Sequence, residues 1–566
     1  MDVLVGLDAG TTATKAVTAG SDAVVRDVVS VGYPLLVPSP GWAELDARRL
    51  MRAAVEALTD VVRAAQQRGD RVVGLSLSAA MHGLVPMTKD GTPLGPIATW
   101  ADSRASAQAA ALRADGRAQG LHARTGTPVH PMSPMVKLAW WSQEDPELMR
   151  TTARWGGVKE LLVAALCGRS DIVDLSCASA SGGYDLRAGR WDAEAMEIAG
   201  VREGQLPEVV PTTHVLDGLR SDVARATGLP ADLPVVIGAS DGVLANLGIG
   251  AVRPNVAAVS LGTSGAMRVV VPRPAVDPAG RLFCYALTDD RWVVGGAVNN
   301  GGSVVRWAAE ALAADSAADG ETSGAQGAAA DELDARLLDE AADVPAGSAG
   351  LLCLPYLLGE RAPWWRSGLS GAYVGLRRDH RRPHLVRAAV EGACQQLALV
   401  RDAFDSVDLP LREVRATGGA VAATLWIETL AATLDLPVRV ADSPEGTGLG
   451  ACLLGLHAVG ELPDLDAAAA LVAVHEAVEP DASDAALYRQ LRPLVERSAL
   501  ALSAWRCSAQ MSAAGSTSIT PSNDTVRSTT VRMPKSRSIW MSEKMSAANP
   551  AMAVVPEAIT AAPVEA

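Results

Sequence analysis

Two stretches of this chain share one unusual plan, and together they restrict its fold more than any other feature. Residues 3–7 form an uninterrupted apolar run that ends on Asp8 and passes at once into Ala-Gly10-Thr11-Thr12-Ala-Thr14-Lys15. Residues 256–261 are again an apolar run, followed by Gly262-Thr263-Ser264-Gly265 and a second apolar segment over 266–271. Apolar runs of this length, bounded by turn residues, read as buried strands. A Gly/Thr/Ser turn between them exposes backbone N–H groups and hydroxyls, and the first adds a carboxylate and a cation. That combination suits a phosphate chain carrying a magnesium ion. Taken singly, the first turn is also a plain hairpin in which Asp-Ala-Gly makes the bend. The repetition favours a duplicated core, with two related domains each offering a phosphate-binding hairpin to a shared cleft.

Around these turns, strands alternate with amphipathic helices, the pattern of an α/β protein. Strands are expected over residues 14–19, 72–76 and 234–237. A helix is expected over 46–68, with Leu50, Ala53, Ala54, Ala57, Leu58, Val61 and Val62 on one face. At 566 residues the chain exceeds a single hydrophobic core. It divides into residues 1–248, residues 249–504 and a Ser/Thr/Ala/Met/Pro-rich tail, 505–566, expected to be disordered. Residues 315–330 read as a flexible surface excursion. Residues 446–460 read as a helix whose glycines serve close packing.

A net charge of −14 argues against a nucleic-acid surface, which needs clustered Lys and Arg. The seven cysteines are scattered, with no Cys-x-x-Cys pair, so they read as buried thiols of a reducing compartment. The first strand begins almost at residue 1, which leaves no room for a signal peptide, and no apolar run reaches the roughly eighteen residues of a membrane span. A cytoplasmic protein without membrane or nucleic-acid partners is expected.

Several constellations can carry chemistry. Asp241 follows the run 234–237 where a helix over 242–247 begins. Ligands of open α/β sheets gather at the carboxyl ends of strands, and an Asp there can take the proton of a hydroxyl that attacks phosphorus. The alternative is that Ser240 or Asp241 only caps the helix. Met81-His82-Gly83 and Trp100-Ala-Asp102-Ser-Arg104 each follow a strand-like segment. Their mixture of donors, acceptors, an aromatic face and a cation suits a polyhydroxylated ligand. The alternatives are a structural histidine at 82 and a surface ion pair between Asp102 and Arg104. Thr417-Gly418-Gly419-Ala420 lies between a strand over 413–416 and a helix over 421–434, where paired glycines let backbone approach a flat ring or a phosphate.

These residues together resemble the FGGY family of carbohydrate kinases, within the actin/hexokinase-like ATPase superfamily. Two long patterns carry the resemblance: Met132-Ser-Pro134-Met-Val-Lys137-Leu138-Ala-Trp140-Trp141, and Gly371-Ala-Tyr373-Val-Gly375-Leu376 followed by His384-Leu385-Val-Arg-Ala388-Ala389-Val390-Glu391. The segments 125–134, 100–104, 210–214, 238–248 and 283–288 are most similar to bacterial gluconate kinases, whereas Met81-His82-Gly83 is shared with xylulokinases.

The resemblance implies two ribonuclease-H-like domains with an inter-domain cleft that closes on ATP and sugar. It implies Asp241 as the general base. Met81, His82, Trp100, Asp102 and Arg104, with Asp241, would hold the sugar. Gly10, Thr11, Thr12 and Lys15 match the first phosphate hairpin, and Gly262, Thr263 and Ser264 the second. Gly302 and Gly419 match residues lining the nucleotide site, with Gly418 adjacent, and Asp8 would hold Mg²⁺ through water. Ala423 stands where glycerol kinases carry an Asn, which puts a contact to adenine from that position in doubt. The implied reaction is transfer of the ATP γ-phosphoryl group to the C6 hydroxyl of gluconate, with Arg104, His82 or Lys159 as partner of the sugar carboxylate. The rivals are the same chemistry on xylulose or glycerol and an actin-like ATP switch. Homodimers are frequent in the family.

Overall fold

The apolar runs that open each half become central strands of two six-stranded sheets. The first contains β1 (Asp2–Ala9), β2 (Ala13–Ala19), β3 (Val25–Gly32), β4 (Arg71–Ala79), β5 (Val215–Leu216) and β6 (Val235–Ser240), in the order β5-β6-β4-β1-β2-β3. The second contains β7 (Val256–Leu261), β8 (Gly265–Val271), β9 (Phe283–Ala286), β10 (Trp292–Val298), β11 (Glu413–Thr417) and β12 (Val438–Val440), in the order β9-β10-β8-β7-β11-β12. Along β3-β2-β1-β4-β6 the pairings run antiparallel, antiparallel, parallel, parallel, and the same series recurs along β10-β8-β7-β11-β12. The duplication legible in the two turns is therefore a duplication of the whole core.

In this computed structural model, which describes residues 1–312, 323–442 and 445–516, both faces of the first sheet are covered. Val3, Leu4, Val5, Leu7 and Ala9 are fully buried. Val5 and Leu7 pack with the Ala47–Gln67 helix, whose apolar stripe from Leu50 to Val62 is buried as its period requires. Asp46 caps this helix by accepting from the N–H groups of Arg48 and Arg49. Leu4 and Gly6 face the opposite way, toward the Gly446–Ala458 helix.

That second helix belongs by sequence to residues 249–504, yet it lies on the first sheet and beside the Asp241–Gly248 helix. Glycines make the approach possible. A Cβ on Gly248 would sit 1.7 Å from the Gly446 carbonyl oxygen, one on Gly450 2.1 Å from that of Leu244, and one on Gly6 2.4 Å from that of Gly448. The two helices meet backbone to backbone, as the glycine spacing implied.

Residues 1–508 form one unit and Ala509–Ala566 another. Three expectations need correction. Residues 323–330 of the proposed excursion are helical, within Ser323–Ala342, and residues 315–322 lie outside the described residues. The tail is helical through Ser516 as part of Ala482–Ser516, and residues 517–566 lie outside the described residues. Gly419 opens a 3₁₀ turn, Gly419–Ala422, and the α-helix starts only at Thr424, after an extended Ala423. Among the described residues no helix is long and apolar enough to cross a membrane. Cys167, Cys177, Cys284, Cys353, Cys394 and Cys452 are free thiols.

Candidate active site

Parallel pairing aligns Ala9, Ala79 and Ser240 at one edge of the first sheet, so Asp8, Met81, His82 and Asp241 emerge together. Asp8 Oδ1 accepts from the Ser78 hydroxyl at 2.7 Å. Burial, and then the charge of Asp241, pushes the Asp8 carboxyl up to about 6. Asp241 Oδ1 accepts from the N–H groups of Gly242 at 2.7 Å and Met81 at 3.3 Å. Burial raises its pKa, against the pull of those N–H groups and of the Arg268 charge. Ser240 does not cap the helix, because its hydroxyl bonds Ser176 Oγ at 2.7 Å, whereas Asp241 does take the Gly242 N–H of the first helical turn.

A cleft of about 370 Å³ joins this edge to the second sheet. Asp8, Gly10, Thr12 and Lys15 line it from the first half, Ser260, Arg268, Thr417 and Gly418 from the second, and Asp241 and Gly242 lie between. The first hairpin is braced from outside. The Trp100 indole N–H donates to Thr11 Oγ1 at 2.9 Å, and the Tyr33 hydroxyl donates to the Gly10 carbonyl at 2.8 Å. Lys15 Nζ pairs with both carboxylate oxygens of Glu445 at 3.0 Å.

Three loops interlock at the corresponding edge of the second sheet. The Gly262 N–H donates to the Ser264 carbonyl at 2.9 Å, the Gly301 N–H to the Thr263 carbonyl at 3.0 Å, and the Gly302 N–H to the Gly262 carbonyl at 2.7 Å. Gly418 adopts φ 109°, and a Cβ there would sit 2.4 Å from the Leu261 carbonyl oxygen. Gly262 and Gly419 face open space, where an added Cβ meets no atom within 4 Å. Gly262, Gly302, Gly418 and Gly419 thus come together at this edge, and Gly10 lies on the first hairpin.

The sugar-side residues separate into two groups. His82 is buried at φ 64°, a backbone region costly for a non-glycine residue and concentrated at functional sites. Its Nδ1 donates to the Ala180 carbonyl at 2.9 Å, which leaves Nε2 as an acceptor. Burial, then the charges of Lys137 and Arg361, holds its pKa down to about 3, so the ring is neutral. Lys137 Nζ donates to the carbonyls of His82, Thr99 and Met132 at 2.7–2.8 Å and ties together the loops that present His82 and Trp100. The Phe283–Thr288 segment reaches the same wall from the second half. Tyr285 packs edge-on against His82 with ring centroids 5.6 Å apart, and the Cys284 N–H donates to the Gly126 carbonyl at 2.8 Å.

Asp102, Arg104 and Lys159 are not available to a ligand. Asp102 is fully buried and accepts from the Ala43 N–H and from the Arg104 backbone and guanidinium. Arg104, 3% exposed, also binds Glu44 and lies 3.7 Å from the centre of the Trp42 ring. The pair is neither a surface ion pair nor a sugar contact but a buried brace for the segment carrying Trp100. Lys159 Nζ is held by the carbonyls of Leu77, Ile237 and Ala239 and lies 3.7 Å from Asp174.

Residues 3–248 match the N-terminal domain of the FGGY family of carbohydrate kinases, and residues 257–459 match its C-terminal domain. The chain belongs to the FGGY family. It is accordingly an ATP-dependent carbohydrate kinase. It is 37% identical to the gluconokinase of Bacillus subtilis over 492 residues, covering 87% of this chain and 94% of that protein. Among solved structures, a gluconate kinase from Lactobacillus acidophilus superimposes with a TM-score of 0.81 at 32% identity, covering 88% of this chain and 98% of that one. A ligand-bound xylulose kinase from the same organism gives 0.82 at 31%, covering 89% and 99%. The fold is that of FGGY kinases, while the relatives divide over the sugar.

Three residues of this FGGY cleft escaped the sequence reading. Arg268 is a lone charge in the apolar strand β8, a signal that was legible. It points at the Asp241 corner, 3.5 Å from where a Cβ on Gly242 would stand. Burial lowers its pKa to about 10 while the Asp241 charge supports it. Glu445 announces itself only through its ion pair with Lys15. Arg361 sits in an irregular loop without periodicity, and only folding brings it over Trp100, 4.8 Å from the ring centre.

Proposed function

We propose that this kinase transfers the γ-phosphoryl group of ATP to the C6 hydroxyl of D-gluconate, giving 6-phosphogluconate and ADP, with Asp241 as general base. The observation that carries the reading is the position of Asp241 at the junction of the phosphate cleft and the His82–Trp100 wall. As the hydroxyl oxygen attacks phosphorus, its proton passes to the Asp241 carboxylate and the bond to the β-phosphate oxygen breaks. A carboxylate raised by burial is a stronger base than one in water. The Gly10–Thr12 and Gly262–Ser264 turns supply N–H groups and hydroxyls to the phosphates, and Arg268 faces the oxygen charge that develops beside Asp241. Neutral His82, through Nε2, accepts from a sugar hydroxyl, and Trp100 offers its ring to the C–H face.

Asp8, beside Asp241 and the first hairpin, supplies few protein ligands, a donor set suited to Mg²⁺ that keeps several waters and arrives with the nucleotide. Bound there, the ion would neutralise phosphate charge. Similarity to two gluconokinases supports gluconate over xylulose or glycerol. We read the enzyme as cytoplasmic, acting on small molecules and not on nucleic acid or membranes, and able to form a homodimer.

A coupled ADP-release assay across D-gluconate, D-xylulose and glycerol tests the acceptor. Turnover dependent on gluconate is expected, and turnover on xylulose alone would move the substrate. In the same assay Asp241→Asn should lower kcat by about 10²–10⁴-fold while ATP still binds; a variant with near-normal kcat removes Asp241 from the mechanism.

A further inference from the structure

A sugar acid brings a negative charge into the cleft, and the cations that border the sugar side differ sharply in what they have left to give. Arg104 is saturated by Asp102 and Glu44. Lys137 and Lys159 each donate to three backbone carbonyls. His82 and His130 are held neutral by burial and neighbouring cations.

Arg361 is different. Its Nη2 donates to the Val298 carbonyl at 3.0 Å, and its Nε–H is buried without any partner. Among the described residues it makes no ion pair. Glu360, the adjacent acid, is already occupied by the N–H groups of Asn299 and Arg361 and by Asn300 Nδ2. A buried donor and charge left uncompensated is costly, and such groups are normally satisfied by something. Arg361 is also well placed. It belongs to the second half yet lies over Trp100 of the first, within electrostatic reach of His82, His130 and Tyr285. Arg268, which likewise has no carboxylate within 4 Å among the described residues, stands beside Asp241 and lines the phosphate cleft. In gluconate the reacting hydroxyl and the carboxylate lie at opposite ends of a six-carbon chain; Arg268 stands beside Asp241, and Arg361, over Trp100 and also within electrostatic reach of Asp241 and Arg268, has a donor to offer the other end.

We propose that Arg361 is the residue that recognises the substrate carboxylate, and so selects a sugar acid over a neutral polyol. This rests on the sugar-acid reading above. Its planar fork supplies parallel N–H donors to a carboxylate, a geometry Lys does not reproduce. Because the residue comes from the second half, binding the acid also ties the two walls of the cleft together.

The test compares D-gluconate with D-gluconamide, which keeps the carbon chain and C6 hydroxyl but carries a neutral amide. The wild-type enzyme should favour gluconate by about 100-fold or more in kcat/KM. Arg361→Gln should erase that preference, lowering kcat/KM on gluconate by about 100-fold while gluconamide stays within about threefold. Arg361→Lys, should the Gln variant fold poorly, keeps the charge without the fork and should lose about tenfold on gluconate alone. Equal losses on both compounds, or an unchanged preference, overturn the assignment of Arg361. A wild-type enzyme that does not phosphorylate gluconate, or does not distinguish the pair, overturns the sugar-acid reading and this assignment with it. That failure is visible before any substitution is made.

Discussion

Asp8 and Asp241 share one sheet edge, and the roles proposed for them need both ionised while burial opposes ionisation of both. We expect kcat/KM to fall as pH drops through about 6, where Asp8 takes up a proton. Stability moves the other way. Between the ordinary carboxylate value of 3.8 and about 6, folded Asp8 holds a proton that the unfolded chain has released, so stability falls as pH rises through that window. At pH 7 the ionised group is a net cost. Asp8→Asn should therefore raise the melting temperature at pH 7 while lowering activity, and the gain should vanish near pH 4. Melting curves at the two pH values decide it, and a destabilised variant at pH 7 would contradict the burial argument. At this scale sequence reading was uneven. Asp8, Asp241 and His82 stand where strand ends and turn chemistry put them. Arg104 and Lys159 have suitable chemistry, but Glu44 beside Arg104 and the Leu77, Ile237 and Ala239 carbonyls around Lys159 lie far away in the chain, and only those partners show how fully both are occupied.

At the scale of elements, the joint between the Asp241–Gly248 and Gly446–Ala458 helices depends on absent side chains. A methyl group on Gly248 would meet backbone, which cannot rotate away as a side chain can. Gly248→Ala should destabilise the enzyme by about 1–3 kcal/mol, read as a lower melting temperature or denaturation midpoint. Gly419→Ala is the counterpart. Its added methyl enters open space at the rim proposed to bind the nucleotide, so we expect KM for ATP to rise with the melting temperature unchanged. If both variants lose stability alike, the distinction between packing and ligand-facing glycines fails. Helix 47–67 was legible from its 3.6-residue period. The 3₁₀ turn at Gly419–Ala422 was not, because paired glycines announce a bend without saying which geometry follows.

For the whole molecule, the cleft is built from two copies of one architecture, bridged by Lys15–Glu445 and by glycine-rich helices. Ligands that touch both halves should stabilise their union. D-Gluconate and a non-hydrolysable Mg·ATP analogue, each at 100 times its Kd, should add about 2.7 kcal/mol apiece by mass action. Differential scanning fluorimetry measures this, and no upward shift with gluconate would count against its place in the cleft.

The sequence by itself determined the duplicated α/β core, the two Gly/Thr/Ser turns, the strand-end position of Asp241 and the membership of the kinase family. All of these follow from local periodicity and short spacings. The tertiary structure alone decided which cations have donors left for a ligand, which glycines pack and which face open space, and that a helix from the second half lies on the first sheet. Those properties depend on contacts between residues hundreds of positions apart, such as Lys15 with Glu445 and Trp100 with Arg361. No local pattern of residues encodes who a side chain's distant neighbours will be.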